Sequence, residues 1–81
     1  MRTTTDEARD SALSIASVRS AHFFQSNLGY VAGVVYDGST GIEFDVREVE
    51  ESGWIVNDDH GRNHVATSLP EAIRKAINAN A

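Results

Sequence analysis

A hairpin pattern in the middle of the chain constrains the fold more than any other feature. The segment Ile42–Arg47 alternates apolar and charged residues, which predicts a strand with one face on a core and the other face outside. It follows Tyr30–Tyr36, a run rich in β-forming residues, and Asp37–Gly41, a loop of hairpin length. The sequence therefore predicts an antiparallel hairpin at the centre of the domain.

The flanking segments predict an α+β domain. Alternation fails at Glu48-Val49, which predicts a bulge or the end of the strand at that point. Two further short strands are predicted over Trp54–Val56 and His64–Thr67. We expect a single domain over residues 1–81, in which a three- or four-stranded antiparallel sheet carries an N-terminal and a C-terminal helix on one face, in α-β-β-β-α order.

Both ends of the chain carry helix-start signals. The segments Thr4–Glu7 and Ser68–Glu71 each have the spacing of a capping box, and the second has a proline in the first turn. After the second signal, an apolar stripe predicts a helix: Leu69, Ala72, Ile73, Ala76 and Ile77. The end of the first helix stays open between Ser20 and a point towards Leu28, and the alternative is a short strand over Ala21–Gln25.

The excess charge of the chain lies in one segment. The net charge is −5, and half of the twelve acids fall between Asp37 and Glu51. We predict that this segment and Trp54 form a partner-binding surface, with Trp54 in the core as the open alternative. The residues predicted to bind the partner are Asp37, Glu43, Asp45, Glu48, Glu50, Glu51 and Trp54. Protection of a sheet edge explains Glu43 and Asp45, but it explains the later glutamates less well.

The sequence carries no recognisable catalytic set. Cysteine is absent, so disulfides, thiolate chemistry and cysteine-ligated zinc are excluded. Ser39 and Thr40 have no histidine near them in sequence, and the glycines match no phosphate loop. His60 and His64 have the spacing of a metal pair beside Asp58, but the spacing spans a glycine-containing turn, so a solvated turn is favoured. We expect no enzyme activity, no cofactor and no metal site.

Two partial resemblances concern the order of the elements. The helix–strands–helix order resembles double-stranded RNA-binding domains, but Leu69–Ala72 stands where those domains have a basic cluster. The strands from Tyr30 and the segment Thr67–Ile73 resemble antitoxins of the HicB type over the hairpin-to-helix part. The second resemblance implies an antitoxin or immunity protein that neutralises a basic nuclease or toxin.

The format of the chain resembles the phage-encoded anti-CRISPR proteins: one small, acidic domain without cysteine and with one dense acidic segment. That family shares no motif, so no residue is carried over. The resemblance implies an inhibitor in the cytoplasm of a bacterial host, whose acidic surface blocks a basic nucleic-acid channel of a CRISPR effector complex. It implies no direct contact with nucleic acid and none with a membrane. We expect a monomer, or a homodimer that buries Trp54 or Phe23.

Overall fold

In the computed structural model, the described residues are 3–49 and 53–81, and they form two helices and five strands. The elements are α1 (Thr5–Leu13), β1 (Val18–Gln25), β2 (Val31–Asp37), β3 (Ile42–Val49), β4 (Gly53–Asn57), β5 (Asn63–Ala66) and α2 (Leu69–Asn80). The strands form an antiparallel sheet in chain order, β1-β2-β3-β4-β5. The predicted α+β class is confirmed, and the predicted strand number is corrected from three or four to five.

Both helices begin at the predicted caps. The Thr4 hydroxyl accepts a hydrogen bond from the Glu7 N–H, and the Glu7 carboxylate accepts one from the Thr4 N–H, at 3.1 and 3.2 Å. The Ser68 hydroxyl accepts a hydrogen bond from the Glu71 N–H at 3.3 Å. These caps satisfy N–H groups that have no partner within a helix. From Ser68 the chain forms α2, whose buried residues are Leu69, Ala72, Ile73 and Ala76.

The first helix is shorter than the sequence predicts, and a strand follows it. α1 ends at Leu13, where the Ser14 hydroxyl donates to the Ser11 carbonyl at 2.6 Å. Serine side chains compete with the helix for backbone groups, so this serine-rich segment does not continue the helix. A helix to Ser20 or towards Leu28 is therefore wrong, and the alternative strand is correct and longer than predicted.

The two helices pack on the same face of the sheet. α1 contacts β1 and β2, α2 contacts β4 and β5, and the helices contact each other. Between them and the sheet lies one apolar cluster, in which Phe44 and Ile73 are among the largest fully buried side chains. Burial of each such side chain contributes roughly 1.5–3 kcal/mol. Among the described residues, no helix has the length and apolar character needed to cross a membrane.

The alternation of β3 continues to the end of the strand. The predicted division of Ile42–Arg47 between two faces is confirmed. Of the two alternatives predicted at Glu48-Val49, the strand end is correct, because β3 ends at Val49. Within the described strand there is no bulge: Glu48 extends the buried series, and its register partner on β4 is Trp54. Backbone donors accommodate the Glu48 carboxylate on the core side, as described below.

Candidate functional site

The structure divides the predicted acidic surface into buried and exposed side chains. Asp37 is fully buried, Glu48 is 8% exposed and Trp54 is 5% exposed. The prediction that Asp37 and Glu48 lie on a contact surface is therefore corrected, and of the two alternatives for Trp54 the core position is the correct one. Glu43 and Asp45 are exposed on β3. Two members of the predicted surface lie outside the described residues: Glu50 and Glu51.

Asp37 organises the turn between β2 and β3. Its Oδ2 accepts hydrogen bonds from the Ser39 hydroxyl, the Thr40 N–H and the Thr40 hydroxyl, at 2.7, 2.8 and 2.7 Å. The turn closes at Gly41, whose φ of +71° suits glycine and whose N–H donates to the Asp37 carbonyl. Burial raises the pKa of Asp37, but the hydrogen bonds from Ser17, Ser39 and Thr40 together outweigh burial and lower the pKa to about 2. Asp37 therefore has a structural role.

Glu48 joins three parts of the chain at the end of the core. One carboxylate oxygen accepts a hydrogen bond from the Val31 N–H at 3.1 Å, and the other accepts one from the Thr3 N–H at 3.3 Å. These contacts connect β3 to the start of β2 and to the segment before α1. A buried carboxylate needs such partners because an unsatisfied buried charge is costly. Both carboxylate oxygens of Glu48 thus accept hydrogen bonds from within the domain.

Asp58 fixes the β4–β5 turn to the end of α2. Its Oδ1 accepts hydrogen bonds from the N–H groups of His60 and Arg62, at 2.9 and 3.0 Å. Its Oδ2 contacts His64 Nε2, Asn80 Nδ2 and Arg62 Nε, at 2.9, 3.0 and 3.2 Å. The hydrogen bond with His64, followed by that with Asn80, holds the pKa of Asp58 well below its usual range. The predicted solvated turn is thus anchored by one buried carboxylate.

The same turn contains the residues with metal-ligating chemistry. Potential ligand atoms of Asp58, Asp59 and His60 lie within 4.8 Å of one another. Both Asp58 oxygens already accept hydrogen bonds within the domain, and the guanidinium of Arg62 contacts Oδ2. A cation at Asp58 must therefore displace Arg62 or bind beside its positive charge. These contacts give Asp58 a structural role in the β4–β5 turn.

The sheet face opposite the helices is a candidate contact surface. Register partners in an antiparallel pair point to the same face, so the strand pairings identify this open face. Its residues are Ser20, His22, Phe24, Ala32, Val34, Tyr36, Glu43, Asp45, Arg47, Ile55, Asn57, Asn63 and Val65. Phe24, Tyr36 and Val65 are exposed to 62%, 39% and 53%. These side chains lie apart on β1, β2 and β5, with the charged residues of β3 between β2 and β5, so the face combines apolar and charged side chains as contact surfaces do.

A shallow depression of about 280 Å³ with a mostly apolar lining lies in the open face. Its lining includes Phe24, Ala32, Val34, Asp45, Arg47 and Asn57. Asp45 and Asn57 are direct register partners on β3 and β4, so their side chains are neighbours. Among the described residues, no donor bonds the buried Oδ1 of Asn57. The depression therefore combines the exposed carboxylate of Asp45 with the guanidinium of Arg47, whereas the unpaired amide oxygen of Asn57 is itself covered.

Sequence reasoning placed Asp45 correctly on an exposed face but missed the rest of this site. Asn57 was not predicted, because a single asparagine before a turn is ordinary. The period-two pattern of β2 did carry a usable signal. Ala32, Val34 and Tyr36 lie on the face opposite Val35 and are apolar as well, which is unusual for a strand with one face in water.

Comparison of the chain with protein-family models, curated proteins and solved structures finds no significant match.

Proposed function

We propose that this protein is a small inhibitory binding protein without enzymatic activity, and that its open face covers a basic surface of a complex that handles nucleic acid. The partner class implied by the format of the chain is a CRISPR effector complex. The proposed contact surface contains fewer acidic residues than the acidic segment of the sequence, because the side chains of Asp37 and Glu48 are buried and accept hydrogen bonds within the domain. Glu43 and Asp45 are its exposed acids on β3.

The observation that carries the proposal is the exposed carboxylate of Asp45 in the lining of the depression. Its register partner on β2 is Val34, and Phe24 on β1 lies at the far side of the depression. A lysine or arginine side chain of a partner matches this arrangement, because its charged head can pair with the carboxylate while its methylene stem packs on the apolar wall. Arg47 also lines the depression, so the attraction of Asp45 for the partner cation must outweigh the repulsion from this guanidinium.

Inhibition of the partner is expected because the side chains that this protein would bind are the ones that bind nucleic acid. Proteins bind nucleic-acid phosphates with lysine and arginine. A partner cation held in the depression is unavailable to a phosphate. The exposed side chains of Tyr36 and Val65 add apolar contacts around the charged one. The complex is therefore expected to weaken with salt but to retain an apolar contribution.

The test uses two substitutions at the site and one matched control. Asp45→Lys replaces the exposed carboxylate in the depression by a positive charge and should raise the Kd for a susceptible effector complex by about tenfold or more. Asp10→Lys makes the same charge change on the exposed side of α1, near its C-terminal end, and should leave the Kd within about twofold. Biolayer interferometry against a panel of effector complexes, with target-DNA binding measured in parallel, provides both readouts.

Asn57→Leu separates binding from folding. It removes a buried acceptor that has no donor in the free domain, so it should maintain or raise the melting temperature. It also replaces a polar group in the lining of the depression by an apolar one, which should weaken the binding of a cation. Unchanged inhibition by both Asp45→Lys and Asn57→Leu contradicts the proposed surface. Binding to a basic nuclease toxin, with no binding to any effector complex, identifies the protein as an antitoxin or immunity protein instead.

A further inference from the structure

The free edge of the sheet at β1 has a defined set of outward backbone groups. The Ser26 N–H donates to the Tyr30 carbonyl at 2.7 Å, so the β1–β2 ladder continues to Ser26. By alternation, His22 also points its backbone groups towards β2. In agreement, a Cβ on Gly33 of β2 would clash with the His22 carbonyl oxygen. The N–H and C=O groups that face away from β2 therefore belong to Ala21, Phe23 and Gln25.

This edge lacks the usual protection against pairing. The segment Ser20–Gln25 contains neither a formally charged residue nor a proline. Arg19 precedes it at the irregularity of β1, and its side chain lies against Gly38 of the β2–β3 turn. A long edge strand without lysine, proline or an inward charge is a template for another strand.

The opposite edge of the sheet is protected. β5 has four residues, and the ammonium group of Lys75 donates to the Val65 carbonyl at 2.9 Å. A short strand and a lysine across its carbonyl are two common means of preventing pairing at an edge. The difference between the edges indicates that β1 is the one that accepts a strand.

We propose that β1 pairs with β1 of a second copy of this chain, antiparallel and about a two-fold axis at Phe23. In this register Phe23 lies opposite Phe23 of the second copy, and Ala21 lies opposite Gln25. All three outward residues of each copy then exchange backbone hydrogen bonds. Centring the axis at His22 brings the irregularity at Arg19 into the ladder. Centring it at Phe24 runs the ladder into the β1–β2 turn.

The side chains are complementary in the same register. On the open face, Phe24 lies opposite His22 of the second copy, so the ring that is 62% exposed in one chain gains an aromatic neighbour. On the helix side, Phe23 packs against its symmetry mate. The paired segment carries no formal charge, whereas the chain has a net charge of −5. Two acidic copies therefore meet at a place where like charges do not face each other. This proposal does not depend on the proposed function.

Cysteine cross-linking tests the register directly, because the natural chain contains no cysteine. His22 and Phe24 of the second copy form a non-hydrogen-bonded pair, whose Cα atoms are about 4.5 Å apart and within disulfide reach. A mixture of the His22→Cys and Phe24→Cys proteins should form a disulfide-linked dimer under mild oxidation, and neither protein alone should do so. A mixture of Tyr36→Cys with Phe24→Cys is the control and should stay unlinked.

A pair of charge variants provides a second test. His22→Lys with Phe24→Lys places like charges opposite each other twice and should give a monomer. His22→Glu with Phe24→Lys changes the same positions, places opposite charges together and should keep the dimer. Light scattering should give the unmodified protein twice 8.8 kDa. A mass of 8.8 kDa at the highest soluble concentration, or cross-linking of either single-cysteine protein alone, overturns the proposal.

Discussion

Substitution of Glu48 should destabilise the domain. Sequence reasoning predicts that charge reversal at this position leaves the fold intact, because it places Glu48 on a contact surface. In the structure, the carboxylate is buried and accepts hydrogen bonds from the N–H groups of Val31 and Thr3. Glu48→Gln is the smallest change that tests this difference, since it keeps the shape of the side chain and removes its charge.

The magnitude follows from the two contacts. A hydrogen bond to a charged group contributes roughly 1.5–3 kcal/mol, and the contact with Val31, fully buried at 3.1 Å, is the stronger of the two. In Glu48→Gln one oxygen is retained, but the amide NH₂ cannot accept, so one backbone N–H loses its acceptor. The free energy of unfolding should fall by about 2 kcal/mol. For a domain of this size the melting temperature should fall by about 8–16 °C.

Urea denaturation followed by the fluorescence of Trp54 measures this loss, because Trp54 is buried and is the only tryptophan. Because Trp54 is the register partner of Glu48, the substitution can change its fluorescence directly. Far-ultraviolet circular dichroism therefore provides an independent signal of unfolding. Glu43→Gln, an exposed position on the same strand, is the control and should change the free energy by less than about 0.5 kcal/mol. Equal stabilities of Glu48→Gln and Glu43→Gln would refute the assigned contacts.

Two further predictions concern the other buried acids. Asp58→Asn should lower the melting temperature and speed amide hydrogen exchange at the end of α2, because it weakens the contacts of the turn with Asn80; Asp59→Asn, at an exposed position, should do neither. The pKa of Asp37 lies at about 2 instead of 3.8. Its charged form therefore stabilises the domain above about pH 4, and this contribution is lost as the pH falls towards 2. Acid denaturation of Asp37→Asn should show a shallower loss of stability over that range, and superimposable slopes would contradict the assignment.

The elements that could be predicted from the sequence are those whose signals are local. α2 combines a serine cap, a proline and an uninterrupted apolar stripe within one segment, and its predicted start is confirmed. The hairpin turn after Asp37 is also local, since its side-chain contacts span two or three residues. The end of α1 was not predictable in the same way. Between Leu13 and Val18 the sequence weakens a helix, but only pairing with β2 makes the following residues a strand.

The acidic segment shows why charge alone did not locate the site. The hydrogen-bond donors of Glu48 lie 17 and 45 residues away in sequence. Asp58 contacts Asn80, which is 22 residues away. Backbone N–H groups carry no residue-specific pattern, so a glutamate that will be buried against them looks identical to an exposed one. An acidic run can thus contain structural and surface carboxylates together, and only long-range packing separates them.

The position of β1 connects the two proposals. Five strand spacings, from β3 of one copy to β3 of the other, separate the two depressions in the paired sheet, which corresponds to about 24 Å along the sheet at the usual strand spacing. Both depressions lie on the same face of the twisted sheet, so a partner with two basic sites at matching positions gains affinity from simultaneous binding. The disulfide-linked dimer of the His22→Cys and Phe24→Cys proteins and the same mixture after reduction, diluted until it is monomeric, carry the same charged side chains, so their comparison isolates pairing from changes at the depression. If the reduced monomer binds such a partner more weakly than the linked dimer, the second copy contributes to binding. If both bind equally, each depression acts alone.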